Sequence, residues 1–279
     1  MSVQSERDIA RSALVVGCGY VGSKLFGFLQ NAGWQVEGIR RKKSADAHIH
    51  SADVFESFAV NGQYNIVFYL ISADRYDPES YKKAYVTGVA NTIEALKKLK
   101  LAPRFIFVSS TSLFSENGGG SVDETSPVEK SGFSKKSLFE GEALVADSGF
   151  SYSIVRFSGI YGPGRQRLID EVRSQNARLK IQPCISNRIH VDDCVGVLSH
   201  LADLETLAQL YIASDCEPTP YNNVLQWLSL QLGVPKPPVD DKPAGTAHMS
   251  NKKCLNSRLL ATGYQFKYPS FREGFKSCF

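Results

Sequence analysis

The stretch from Ala13 to Leu25, ALVVGCGYVGSKL, constrains the fold more than any other part of this chain. Leu14, Val15 and Val16 make a branched, wholly apolar run of the kind that fills the middle of a parallel sheet. The run ends in Gly17-x-Gly19-x-x-Gly22 and continues as a helix from Tyr20 and Val21, with Leu25, Phe28 and Leu29 along one side. Gly33 stands where a helix-terminating glycine belongs. In this setting Gly17 makes a tight turn, Gly19 leaves no side chain to hold a pyrophosphate off the main chain, and Gly22 lets the helix pack closely on the strand. The free N–H groups of the helix start then face the phosphates. The stretch reads as a dinucleotide cradle.

Downstream of the cradle, strand and helix keep alternating. Trp34 to Ile39 is a second strand, and it runs directly into Arg40-Arg41-Lys42-Lys43. Near this point an acidic residue takes the ribose hydroxyls of NAD, whereas arginine accommodates the 2′-phosphate of NADP. Glu37 lies two positions too early, so Arg40 and Arg41 favour NADP(H) over NAD(H), the alternative being a solvated basic loop. Asp53 could meet the adenine edge. Asn65 to Ile71 is a third buried strand with Ser72, Ala73 and Asp74 at its carboxyl end, where ligands bind in doubly wound sheets, and Leu70, Ile71 and Ser72 are the cofactor-binding candidates there. A helix is expected from about Glu79 to Lys100, with Val86, Val89, Ile93 and Leu96 on one face and Pro103 beyond it. The fourth strand, Arg104 to Ser110, runs into the hydroxyls of Ser109, Ser110, Thr111 and Ser112.

Ser115 to Ser131 is a polar loop containing Gly118-Gly119-Gly120, long enough to act as a flap. A helix from Ser134 to Asp147 leads to a fifth strand, Tyr152 to Phe157, where Phe157, Ser158 and Ile160 are positioned to border a nicotinamide. This alternation predicts an α/β Rossmann fold, a doubly wound parallel sheet with right-handed crossovers. Beyond it come a helix from Leu168 to Ala177, the segment NRIHVDD before a helix from Val195 to Leu204, a last strand at Leu210 to Ala213, a helix from Tyr221 to Leu232 and a proline-rich loop from Pro235 to Pro243. The expected division is a dinucleotide-binding domain over 11–160, with 187–213 returning to it, and a smaller substrate-binding lobe made of 161–186 and 214–279.

Composition narrows the function classes. At 43% hydrophobic and 22% charged residues, the 279-residue chain is an ordinary globular one, with disorder expected only in its polar first ten residues. The net charge of +4 is spread along the chain apart from the cluster at 40–43, so nucleic acid is not an expected partner. The 6 cysteines form no C-x-x-C pair and have no histidines at zinc spacing, which argues against a metal site and for reduced thiols. The apolar runs are too short to span a bilayer and the N-terminus lacks a signal-peptide core, so a cytoplasmic location is expected.

With these segments in hand, the chain resembles the atypical and extended short-chain dehydrogenase/reductases, the NAD-dependent epimerase/dehydratase family. The resemblance covers nearly the whole length and rests on GCGYVG at Gly17, SSTSLF from Ser109 to Phe114, RFSGIYGPGR from Arg156 to Arg165, RIHVDD from Arg188 to Asp193, and the segment from Asn251 to Gly274. It implies a sheet domain holding NAD(P), a small lobe closing over a small-molecule substrate, and a homodimer paired through the helices near 79–100 and 134–147. It also implies a tyrosine acid/base, a lysine four residues on, and a serine or threonine bonded to the substrate oxygen. A phenol titrates near 10, so it needs a nearby ammonium to carry a proton at neutral pH.

The departures bear on function. The region due to carry Tyr-x-x-x-Lys reads SGFSKKSLFEGE from Ser131 to Glu142 and holds no tyrosine. Aligning on Lys136 puts Gly132 at the tyrosine position; aligning on Glu142-Ala143-Leu144 puts Ser134 there and Leu138 at the lysine. Tyr85 stands where the family often has an asparagine, with Asn91 further on. Ser110 fits the substrate serine, with Thr111 and Ser112 as rivals, although such hydroxyls also cap strand ends. Lys136 is retained as a catalytic candidate beside Ser110 and Ser112. His190, Asp192 and Asp193 make neither a metal set nor a triad; an aspartate here is expected to cap the next helix and tie the lobe to the sheet. GPGR is a backbone device.

Two functions fit. One is an enzyme: an NAD(P)-dependent reductase, dehydrogenase or epimerase acting on a small carbonyl or hydroxylated substrate, a nucleotide sugar among them, with proton transfer through Lys136, water, or an outlying tyrosine such as Tyr76 or Tyr161. The other is a non-catalytic NADP(H)-binding redox sensor or regulatory module, motivated by the missing pair. A methyltransferase would have no use for the serine-rich strand end or GPGR.

Overall fold

The computed structural model describes residues 11–240 and 251–279. The polar N-terminal segment and the end of the proline-rich loop lie outside the described residues. The chain forms two compact units, one from 11–108, Ser131–Ile154 and Leu198–Gln209, the other from Ser109–Lys130, Val155–Val197 and the described part of Leu210–Phe279.

In the first unit, β1 (Ser12–Val16) leads through helix α1 (Tyr20–Asn31) to β2 (Gln35–Arg40), β3 (Ile49–Ser51) and β4 (Ile66–Tyr69). β1 lies parallel between β2 and β4, with Val16 opposite Ile39 on one side and Tyr69 on the other. With β5 (Arg104–Ser110), β6 (Tyr152–Phe157) and β7 (Leu210–Ala213) they make a seven-stranded parallel sheet of order β3-β2-β1-β4-β5-β6-β7. Ala13 to Val16 and Val67 to Tyr69 are wholly buried, as the apolar runs require for central strands. The chain order reverses between β1 and β4, and the crevice beyond the strand ends at such a reversal is where ligands bind in this architecture. β3 is absent from the sequence expectation. Its three residues, Ile-His-Ser, are half-buried or exposed at the sheet edge and carry no apolar run.

The helix expected over Glu79–Lys100 is interrupted. It consists of α2 (Pro78–Lys82), a π-helical turn (Lys83–Thr87) and α3 (Gly88–Lys98). Asp77 caps its start by accepting the Ser80 N–H at 2.8 Å. The wide turn coincides with a tertiary contact: the buried Tyr69 phenol donates to the Ala84 carbonyl at 2.6 Å, the kind of side-chain insertion that perturbs a helical ladder. Helix α4 (Phe133–Ala146) packs closely there, since a Cβ on Gly141 would lie 2.3 Å from the Tyr85 carbonyl oxygen.

The second unit carries α5 (Arg167–Arg173), the start of α6 (Val191–Asp203), α7 (Tyr221–Leu232), α8 (Ser257–Leu260) and α9 (Phe271–Lys276). Its core joins Tyr161, Ile169, Val172, Val224, Leu228, Phe271 and Phe275. Two sequence expectations change here. Helix α6 begins four residues earlier than Val195, so Asp193 lies inside the first turn instead of capping it. Its carboxylate receives the N–H groups of Lys267 at 2.7 Å and Tyr268 at 3.0 Å and the Tyr264 hydroxyl at 3.0 Å, fastening the C-terminal segment. The second correction concerns the 115–131 loop, whose polar backbone is pinned and does not form a free flap. Gly119 N–H donates to the Asn251 carbonyl, Lys253 N–H to that of Gly120, and Ser121–Val122 pairs in parallel with Lys253–Cys254. Glu124 further anchors the loop by accepting the Ile212 N–H at 2.9 Å.

Candidate functional site

The glycine loop has the geometry of a cradle. Gly17 adopts φ +100°, and a Cβ there would lie 2.8 Å from Ile71 Cγ1. Its N–H and that of Cys18 both donate to the Ile39 carbonyl, at 2.9 and 3.0 Å, tying the turn to the end of β2. Gly22 is pressed on the turn itself: a Cβ would sit 2.1 Å from the Gly17 carbonyl oxygen. Gly19 is different, with nothing within 4 Å of a Cβ placed on it. The loop is closed where backbone meets backbone and open at the glycine expected to face a pyrophosphate. Helix α1 starts at this opening without a side-chain cap and without an acidic residue in its first turn, so its N-terminal field is not cancelled. Cys18 turns inward, 2% exposed, and burial pushes its thiol up to about 11, which makes it a packing residue.

The end of β2 separates its charged groups. Glu37 is engaged within the sheet edge, accepting the Tyr64 hydroxyl at 2.5 Å and lying 3.4 Å from His50 Nε2. Arg41 donates to Asp74 Oδ1 at 2.6 Å, a pairing that raises its pKa, and its guanidinium lies over the Phe55 ring. Arg40 is half-buried; its carbonyl accepts the Ala52 N–H at 3.1 Å, and its guanidinium has no hydrogen bond or ion pair among the described residues. Asp53 accepts the Phe55 N–H at 3.0 Å in the turn after β3, so one carboxylate oxygen is already in use. Past β4, Leu70 N–H donates to the Val16 carbonyl at 2.8 Å; Leu70 and Ile71 are half-buried and Ser72 is exposed. The donor set fits a dinucleotide: backbone N–H groups and an open glycine at the loop, and at the end of β2 a guanidinium without a partner among the described residues.

Also in the first unit, the start of α4 shows where its lysines stand. Lys136 is exposed and reaches Glu140 at 3.9 Å, one turn along the helix. Lys135 is half-buried, and the residue four positions before it is Ser131, so neither lysine has a tyrosine at the family's spacing. Tyr76, from the loop after β4, lies against this helix start, edge-on to Phe133 at 4.9 Å with its hydroxyl 3.4 Å from Ser134 Oγ. The ring is 60% exposed.

In the second unit, Ser109 is buried, whereas Ser110 accepts the Ser112 N–H at 3.1 Å and so caps the short 3₁₀ turn Thr111–Leu113. That bond uses a lone pair and leaves the Ser110 proton for another acceptor. Ser112 is exposed. Phe157 and Ser158 are buried and Ile160 half-buried; the Ser158 hydroxyl is one of four buried polar groups without a protein partner among the described residues. Tyr161 cannot serve as an accessible proton donor. Its ring is packed against Phe275 and His190, its hydroxyl is buried, and burial pushes its pKa far up. No cluster of three metal-ligating side chains occurs among the described residues, and no helix among them is long and apolar enough to cross a membrane.

This fold and cradle define a Rossmann protein built to hold a dinucleotide. The model of the NAD dependent epimerase/dehydratase family matches residues 13–205, more than half of the chain, which therefore belongs to that family. A structure from Methylobacillus flagellatus assigned to the NAD-dependent epimerases/dehydratases is 32% identical, with a TM-score of 0.77 over 96% of this chain and 97% of that one. A Streptomyces 3-diazoavenalumate denitrifying reductase is 26% identical over 302 residues, covering 94% of this chain and 98% of its own length. The UDP-glucose 4-epimerase of Thermotoga maritima, solved with UDP-glucose, shares the fold at a TM-score of 0.78 and 18% identity, with 95% and 96% of the two chains covered.

Proposed function

We propose that this protein is an NADP(H)-preferring enzyme that exchanges hydride with a small carbonyl or hydroxylated substrate. The observation that carries the reading is the cradle, closed at Gly17 and Gly22 and open at Gly19, joined to the Arg40 guanidinium, which has no partner among the described residues. In this reading Gly17, Gly19 and Gly22 with the N–H groups of Tyr20 and Val21 hold the pyrophosphate. Arg40 takes the 2′-phosphate, with Arg41 beside it at the end of β2 but paired to Asp74, and Asp53 borders the adenine. Leu70, Ile71, Ser72, Ser109, Phe157, Ser158 and Ile160 line the rest of the cofactor. The bound nicotinamide would supply the hydride chemistry.

Among this chain's own residues, Ser110 would orient the substrate oxygen with its remaining proton and Ser112 would assist. Proton transfer falls to Tyr76, whose exposed phenol stands at the tyrosine-free start of α4; Lys136 is the weaker candidate because it is drawn to Glu140. The Streptomyces reductase and the UDP-glucose-bound epimerase add a diazo compound and a nucleotide sugar to the carbonyl and hydroxylated compounds to try first. In a panel of such compounds, Ser110→Ala should stop turnover while NADPH still binds. No absorbance change at the nicotinamide band across the panel would sink the enzymatic reading.

The absence of tyrosine from α4 favours a second reading, a redox sensor that binds NADP(H) without catalysis. It predicts different affinities for NADP and NADPH, or a partner that associates with one complex only. Equal affinities and no partner in a pull-down would exclude it.

A further inference from the structure

A guanidinium that selects a phosphate must be available to it, and at the end of β2 the two arginines differ in this respect. The Arg40 guanidinium has no partner among the described residues, whereas Arg41 is held 2.6 Å from Asp74 and lies over Phe55. Asp74 comes from the loop after β4, the other strand at the switch point, so the pair links the two loops that flank the cradle. Arg41 and Asp74 side chains are 49% and 53% exposed, open to an incoming ligand and not needed for the core. A 2′-phosphate arriving at Arg40 therefore meets a guanidinium unpaired among the described residues beside a neutralised pair, and the carboxylate repels it. A ribose bearing two hydroxyls meets no such repulsion, and Asp74 can accept hydrogen bonds from it.

We propose that Asp74 is a specificity-determining residue of the cradle: by holding Arg41 it restrains the preference for NADP(H) and keeps NAD(H) an admissible ligand. Glu37 is drawn the other way, its Oε2 engaged by Tyr64 and His50, and it makes no pair with Arg41. The inference rests on the proposed dinucleotide site and adds to it a carboxylate from the loop after β4 acting on the selectivity of β2.

The test measures dissociation constants for NADH and NADPH by calorimetry with wild type, Asp74→Asn, Arg41→Ala and the double variant. Asp74→Asn removes one negative charge and frees Arg41 for a charge-assisted hydrogen bond to phosphate, which should move the NADH-to-NADPH ratio about tenfold towards NADPH. Arg41→Ala alone should change the ratio less than that, and adding it to Asp74→Asn should abolish the gain. If both dinucleotides bind and Asp74→Asn leaves the ratio unchanged, the role of Asp74 is refuted while the cradle stands. If neither dinucleotide binds wild type or variant, the cradle reading and this inference both fall.

Discussion

The closest backbone approach in the cradle gives a prediction whose sign depends on position within one helix. Gly22 and Gly27 both belong to α1, and alanine in an open helical site gains up to ~1 kcal/mol over glycine. At Gly27 a Cβ meets nothing within 4 Å, so Gly27→Ala should stabilise by about that amount. At Gly22 the Cβ would lie 2.1 Å from the Gly17 carbonyl oxygen, a backbone atom that has no rotamer to retreat into. Relief requires the helix or the turn to move by roughly 1 Å, and overpacking of this kind costs about 1–3 kcal/mol. After the propensity gain, Gly22→Ala should still lose about 2 kcal/mol at the upper end, lowering Tm by roughly 4 °C at about 2 °C per kcal/mol for a chain of this size. The displaced turn should also weaken NADPH binding. Differential scanning calorimetry of wild type and the two variants makes the comparison. A Gly22→Ala protein at least as stable as Gly27→Ala would refute the packing argument.

Two more outcomes concern the second unit. Asp193→Ala leaves two backbone N–H groups and a phenol without their acceptor and should cost about 3 kcal/mol or more in urea denaturation, with Asp193→Asn recovering part. Asp215 is buried near Arg188, Tyr161 and Glu217, and burial raises its carboxyl to about 7 against the pull of Arg188. Between the unfolded value near 4 and about 7, the folded chain keeps a proton that the unfolded chain has released, so this group makes stability fall as pH rises through that window. Asp215→Asn should therefore stabilise at pH 8, by at most about 4 kcal/mol, and make no difference near pH 4. Denaturation midpoints of both proteins across this range would show it; a constant difference would remove Asp215 as the cause.

How far the sequence reveals this molecule depends on where the determining contacts lie. β1, β4 and β5 are legible because central strands need continuous apolar residues, and the glycine loop because its spacing shows in the sequence, although Gly17 also packs on the distant Ile71 and bonds to Ile39. β3 is illegible: three edge residues leave no hydrophobic signature. The π turn coincides with the insertion of Tyr69, 15 residues before the carbonyl it bonds, and no local periodicity encodes that insertion. The Arg41–Asp74 pair spans 33 residues and the Asp193 clamp about 75. A basic run and an acidic motif are visible in the sequence, but their partners are set by tertiary structure. The same limit applies to Ser110, whose hydroxyl is legible as a candidate while its use as a cap is not.

The central claim is that the Gly17–Gly22 loop holds a dinucleotide, and Gly19 tests it most directly because a side chain there meets no protein atom within 4 Å. Titration of wild type and Gly19→Val with NADPH, followed by nicotinamide fluorescence with Tm measured alongside, separates binding from folding. The expected result is saturable one-to-one binding to wild type and its loss in Gly19→Val, with the Tm of the unliganded proteins differing by no more than the ~1 kcal/mol that a weakened helix start costs. Equal binding to both proteins, or no binding to wild type, would contradict it.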